Sequence, residues 1–260
     1  MVIARLALTS FLLFTCSLSC YAGSRQSGNA ILPVEDLARL SKKVEQYAAE
    51  KGARVFFMAR QGRPDKDLPS GVVYTHVSYA VYSNIQTDDG REIPGYAIYN
   101  LYQKEDNPAL SHLVVDFPLD FLAGAQKARV GVIIPSARLQ KRLLEVIQSD
   151  TYSRLHNPSY SAIANPYNDR YQNCTEHVLD VLNAAIYQTD DVSQIKANTR
   201  AYFEAQTLKI NPFKLMLGSL FKSEVKTADH KGKIQTATFT TLARYLESNR
   251  LVEEVRHIEL

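Results

Sequence analysis

Cys174 is the residue of this sequence with the strongest nucleophilic chemistry, and the run Arg170-Tyr-Gln-Asn-Cys-Thr-Glu-His177 sets it at the start of a helix. Val178, Leu179, Val181, Leu182, Ala185 and Ile186 recur at three- and four-residue spacing, which predicts an amphipathic helix over about 175–187 packed on a core. Asn173 fits as the N-cap, with Glu176 three residues on. A thiol in the first turn meets unpaired N–H groups and the positive end of the helix dipole. With a protonated histidine nearby, these lower a thiol pKa from about 8.5 into a range of roughly 3.5 to 7.5. Such a thiolate is a nucleophile. The competing reading is a small apolar residue filling a helix–sheet contact.

The second group with chemistry is His76. Residues 72–82 are rich in β-branched and aromatic side chains and predict a strand. Residues 84–95, with Asp88-Asp-Gly90 as the tip, predict a turn, and 96–103 a second strand, together an antiparallel hairpin. Alternation puts His76, Ser78, Ala80 and Tyr82 on one face and Val77, Tyr79 and Val81 on the other. Ser78 and Ala80 are small, so that face is expected to admit the helix of Cys174 and bring thiol and imidazole together. Taken alone, a strand histidine is explained as well by a surface or hydrogen-bonded role.

The remaining elements must position these two. Residues 1–22 carry Arg5, an apolar run over 6–18 and a small-residue end at Cys20-Tyr-Ala22, the pattern of a secretory signal peptide cut after Ala22. Ser17 argues against lipid attachment at Cys20, and the run is short of the about 20 residues a membrane span needs. Cleavage removes Cys16 and Cys20, which leaves Cys174 as a single thiol with no disulfide partner. In an oxidising compartment such a thiol is buried or used. Residues 24–29 read as a disordered lead-in, 33–51 as a helix stopped by Gly52, 54–60 as a strand and 61–70 as a loop. Strands are expected at 110–117 and 129–134, with a loop or short helical turn over 116–124, then a helix from Ser136 to about 148. The polar stretch 150–170, with Tyr152, Tyr160 and Tyr167, is long enough to form one wall of a substrate groove. Beyond 187 the expected elements are helices at 194–206 and 211–222, a turn at 228–232 and a strand at 233–239. A helix capped by Thr240 or Thr241 follows, and 251–258 reads as strand or helix. The domain reading is a signal peptide at 1–22, a core at 23–190 and a mostly helical extension at 191–260.

Composition removes several classes. The 45% hydrophobic content supports a real core, and no later stretch is apolar enough to span a bilayer. Losing Arg5 lowers the formal charge from +3 to +2, too small an excess for nucleic-acid or polybasic membrane binding. His112, His156, His230 and His257 are isolated in sequence, so no metal is expected. No phosphate loop or dinucleotide fingerprint occurs, and no cofactor is expected. Fifteen tyrosines with no tryptophan suit a groove lining or half-buried strand positions.

Thr75-His-Val-Ser in a strand, followed by Asn173-Cys-Thr-Glu-His opening a helix, resembles the circularly permuted branch of the NlpC-type, papain-like cysteine hydrolases, in which the histidine precedes the cysteine. The phrases Tyr-Thr-His-Val, Tyr-Asn-Leu-Tyr-Gln, Asp-Phe-Pro-Leu-Asp-Phe and Asn-Asp-Arg-Tyr-Gln-Asn-Cys-Thr-Glu-His-Val-Leu are also similar to domain-of-unknown-function family 2145 of secreted bacterial proteins. The resemblance implies an α+β papain-like fold, an antiparallel sheet packed against the helix that carries the cysteine. It makes Cys174 the nucleophile, His76 the general base and a polar residue of the next strand the orienting third member. Asn100 and Gln103 are the candidates, and Asn100 is favoured although hairpin pairing puts Leu101 or Tyr102 nearest His76. The Cys174 N–H would serve as one oxyanion donor. Gln103, Tyr171 and His177 are assigned to substrate contact, His177 as a groove-rim or capping residue and Glu176 as a partner of the helix dipole. The implied activity is that of a periplasmic or secreted hydrolase or acyltransferase cutting an amide or ester of a cell-envelope peptide, glycan or lipid. The alternative is a non-catalytic binding module on the same fold.

Overall fold

The computed structural model describes residues 30–87, 89–209 and 224–260. The expected signal peptide, the lead-in at 24–29 and the helix at 211–222 lie outside the described residues. What is described is a mixed α+β structure with a six-stranded antiparallel sheet and helices on both faces.

The first helix, α1 (Val34–Glu50), buries Leu37, Leu40, Val44 and Ala48 along one stripe and ends at Gly52, whose φ of +63° a side chain would resist. It leads into β1 (Val55–Arg60), a run buried at every position and therefore suited to the centre of the sheet. On one side of β1 lie β2 (His76–Gln86), β3 (Glu92–Gln103) and β4 (Ser111–Asp116). On the other lie β5 (Arg129–Pro135) and β8 (Val252–Glu259), giving the order β4-β3-β2-β1-β5-β8. A short helix, α2 (Pro118–Ala123), follows β4, and α3 (Ala137–Ile147) and α4 (Asp150–Arg154) follow β5. The cysteine helix α5 (Cys174–Tyr187) and α6 (Val192–Tyr202) come next, then the two-residue strands β6 (Gln206–Thr207) and β7 (Gln235–Thr236), and α7 (Phe239–Ser248).

Alternation along the strands divides the core in two. Val55, Phe57, Val77, Tyr79 and Val81 pack with α3, α5 and α7. Phe56, Met58, Ala80 and Ile98 face the other way, against α1 and Phe121 of α2. At about 1.5–3 kcal/mol per fully buried large aliphatic or aromatic side chain, either layer is a substantial part of the driving force. Gly131 of β5 is small because Tyr74 and Phe239 occupy the place of its side chain: a Cβ there would lie 2.7 Å from the Tyr74 ring and 2.8 Å from that of Phe239.

Several expectations are corrected. The hairpin strands run further toward the tip than predicted, with Asn84 opposite Pro94 and Gln86 opposite Glu92. Pro94 is tolerated because β4 pairs only with residues 98–103 of β3 and leaves that edge open. A helix, α4, interrupts the stretch read as irregular over 150–170. The strand expected at 233–239 is confined to Gln235–Thr236, because Thr238 rather than Thr240 or Thr241 caps α7, in a reciprocal capping box with Thr241. Residues 252–259 resolve as strand and complete the main sheet. Most important for the site, α5 packs on the Val77, Tyr79 and Val81 face, where the Tyr79 hydroxyl donates to Val178 O at 2.7 Å. It does not pack over Ser78 and Ala80. No helix of the described residues is long and apolar enough to cross a membrane.

Candidate active site at the start of α5

Cys174 is the first residue of α5. Its cap is the predicted one: Asn173 Oδ1 accepts from the Glu176 N–H at 2.9 Å. The thiol is 3% exposed, enclosed by Leu101 of β3 and Tyr160 of the 155–172 loop. Its Sγ lies 3.8 Å from Thr75 O and 3.8 Å from Thr175 Oγ1, and the Val77 N–H also bonds to it. The sulfur thus rests against the backbone of the residues on both sides of His76. Burial pushes the thiol pKa up, and the N–H groups of Val77 and Thr175 and the charge of Arg60 offset only part of this. The helix start alone predicts a thiolate. In this closed site desolvation outweighs the dipole, and the resting group is a thiol.

His76 opens β2 and turns to the other face. It has no exposed surface, stacks on Tyr102 at 5.0 Å and lies 5.4 Å from the Phe121 ring. Its Nε2 is 3.0 Å from Asn100 Oδ1. The Asn100 amide can present only that oxygen, because its Nδ2 donates to Asp116 Oδ1 and to Ile98 O. Asp116 in turn accepts from the Tyr102 hydroxyl at 2.8 Å, and Ser78 Oγ donates to Asn100 Oδ1. The network therefore assigns the proton of His76 to Nε2 and the lone pair to Nδ1. That Nδ1 is buried without a hydrogen-bond partner. Burial, reinforced by the charge of Arg60, holds the imidazole well below its ordinary pKa and so neutral.

Arg60 ends β1 on the same face, fully buried, and donates to Phe121 O. Gly124 makes room for it, since a Cβ there would collide with the guanidinium. Burial also raises the Asp116 carboxyl to about 7, with Asp120 adding to the rise and Tyr102, Arg60 and Asn100 opposing it. Nothing in the sequence singles out Arg60 or Asp116, and Tyr102 enters there only as a residue that hairpin pairing puts near His76. The available signal is a charged residue at each end of an apolar strand.

The ladder, in which Tyr79 faces Tyr99, carries back to put Tyr102 opposite His76, with Asn100 on the same face two residues away. Gln103 is out of phase with Asn100, and its amide donates to Pro108 O at 2.7 Å. His177 is 1% exposed and packs edge-on to Tyr152, with Nε2 3.2 Å from Tyr152 O. It lies in the interior rather than at a groove rim, and burial lowers its pKa to about 3. Near it stands His156, with ring centres 6.2 Å apart, held by Ser111 Oγ at 2.9 Å. No group of three or more metal-binding side chains occurs among the described residues. Tyr171 is half-buried and lines a cavity of about 270 Å³ beside α6. Glu176 and Asp180 line the same cavity, while Cys174 and Val178 of α5 face the sheet.

Compared with curated proteins and with solved structures, the chain matches none. The sequence model of a family described as an uncharacterized protein conserved in bacteria matches residues 47–246, a span that runs from the end of α1 into α7 and holds Cys174, His76, Asn100, Asp116 and Arg60. The chain belongs to that family, domain-of-unknown-function family 2145.

Proposed function

We propose that the protein is an exported cysteine hydrolase or acyltransferase of the papain-like, permuted NlpC kind, acting on an amide or ester bond. Cys174 is the nucleophile, His76 the general base and Asn100 the residue that orients it. One observation carries the reading: the bare Nδ1 of His76, fixed by Asn100, belongs to the residue whose two neighbours the Cys174 sulfur touches.

The chemistry runs from a neutral pair. As Sγ attacks the carbonyl carbon, its proton passes to His76 Nδ1 and the carbonyl oxygen becomes an oxyanion facing the Cys174 N–H at the helix start. The imidazolium then protonates the leaving amine or alcohol, and water or a second acceptor resolves the thioester. Thiol and imidazole leave opposite faces of the sheet and share no hydrogen bond at rest, so the proton transfer requires the two side chains to turn toward each other round the first residue of β2. A peptide or acyl group of the cell envelope is the substrate class that suits an exported enzyme.

A second reading, a binding module with an inert cysteine, is favoured by the 3% exposure of the thiol and the upward push on its pKa. Acylation of the mature protein by p-nitrophenyl acetate, followed by intact mass, separates the two. The expected result is a single acetyl group on Cys174, none in Cys174→Ala, and a rate about 100-fold lower in His76→Ala. Equal acylation of wild type and His76→Ala would dismiss the Cys–His pair and leave the binding module.

A further inference from the structure

Among the buried polar side chains Gln172, Glu176, Asp180 and Lys196 at the base of the cavity beside α6, every group is committed except one. Lys196 Nζ donates to Glu176 Oε1 at 2.8 Å and to Asp180 Oδ1 and Oδ2 at 2.7 and 2.8 Å, which uses its three N–H groups. Gln172 donates to Asp180 Oδ2 at 2.9 Å and to Leu155 O at 3.0 Å, and its own oxygen accepts from the Asn157 N–H at 2.9 Å. Glu176 Oε2 is left. It is buried and has no hydrogen-bond partner, on a side chain with no exposed surface that lines the cavity.

We propose that this cavity is a binding site for a small organic cation with a primary ammonium group, seated on Glu176 Oε2. The lining sets Glu176, Asp180 and Asp169 against Lys196 and Arg154, the last already paired with Asp190, so the cavity lacks one positive charge and Glu176 Oε2 one hydrogen-bond donor, and a single alkylammonium head supplies both. An anion meets the wrong sign. A neutral alcohol brings a donor without the charge. A calcium-like ion needs six to eight oxygens, and here the other oxygens of Glu176 and Asp180 are already taken by Lys196. Leu155, Val192 and Ile195 give the walls an apolar surface for a short hydrocarbon tail. The volume of about 270 Å³ falls just below the range of drug-sized sites, about 300 to 1,000 Å³, which limits the ligand to a few heavy atoms beyond its head group. Burial raises the Glu176 pKa well above the ordinary range, with Lys196 opposing and Asp180 reinforcing the rise, the response of a carboxyl whose compensating cation is missing. The site stands independently of the Cys174 chemistry, which lies on the sheet side of α5.

Calorimetric titration of the purified protein with n-butylammonium chloride, beside n-butanol as the neutral isostere, tests it. One saturable site is expected for the ammonium, with butanol at least about tenfold weaker. Glu176→Gln, which keeps the oxygen that Lys196 uses, should weaken the ammonium by about tenfold or more. Val192→Trp, placed at the 37% exposed rim and clear of the buried charges, should block entry, so the test survives if Glu176→Gln fails to fold. No binding to wild type, equal binding of butanol, or undiminished binding to Val192→Trp would overturn the site.

Discussion

Asp116 is the residue on which the geometry of His76 depends, although it touches neither thiol nor imidazole. By accepting from Asn100 it decides which end of the amide faces His76. Its carboxyl is held at about 7 in the folded protein against an ordinary 3.8. A raised carboxyl pKa means that the folded state binds the proton more tightly. Its stabilising contribution is present below the ordinary value and is lost as pH rises through about 7. At about 1.4 kcal/mol per tenfold, the loss across that window is on the order of 4 kcal/mol. Urea unfolding of wild type and Asp116→Asn from about pH 4 to about pH 7.5 should show the wild type losing stability relative to the variant as pH rises. Parallel profiles would show that Asp116 titrates normally. At this scale the sequence was informative where a local pattern names the residue: Cys174 behind an N-cap, His76 and Asn100 in strands of clear period. Asp116 and Arg60 were not legible, because their roles arise from partners on other strands and on α2.

The elements were legible in kind and less so in orientation. The helix of Cys174 and its cap follow from apolar spacing and from Asn173, and β1 from its unbroken apolar run. The facing of the hairpin did not follow. Both faces of this sheet are covered, so alternation sorts residues into two sets without saying which helix covers which. Size suggested the Ser78 and Ala80 face for α5, but Tyr79, with its ring in the core and its hydroxyl on Val178 O, fixes the opposite one. The loop over 155–172 packs against the thiol. Its Tyr160 is tied to Ala109 O at 2.8 Å and closes over the thiol. Tyr160→Ala should raise the alkylation rate of Cys174 by about tenfold or more, at a cost of about 3 kcal/mol from the cavity left behind. Iodoacetamide kinetics extrapolated to zero denaturant would measure it. An unchanged rate would mean that another element closes the site.

For the molecule as a whole, composition promised enough apolar side chains for a real core, and the described residues bury two apolar layers, one on each face of the antiparallel sheet. The place of β8 was not legible, because residues 251–258 fit strand or helix equally and nothing local ties them to β5. Yet β8 pairs with β5 from Arg129–Glu259 to Pro135–Val252 and forms one edge of the sheet, where Glu253, Glu254, Arg256 and Glu259 discourage further pairing. Removing residues 250–260 should therefore abolish cooperative unfolding, since β5 would show an open edge beside a core that includes Val130, Val132 and Ile258. Circular dichroism during a urea titration is the check, and a truncated chain with a wild-type transition would refute it.

That arrangement has a further consequence during synthesis. β5 emerges from the ribosome long before β8, and the inner strands are made with one boundary missing until residues 252–259 are free of the exit tunnel. The β5 edge stays unpaired until translation has passed them, which places the docking of β8 among the late steps of folding.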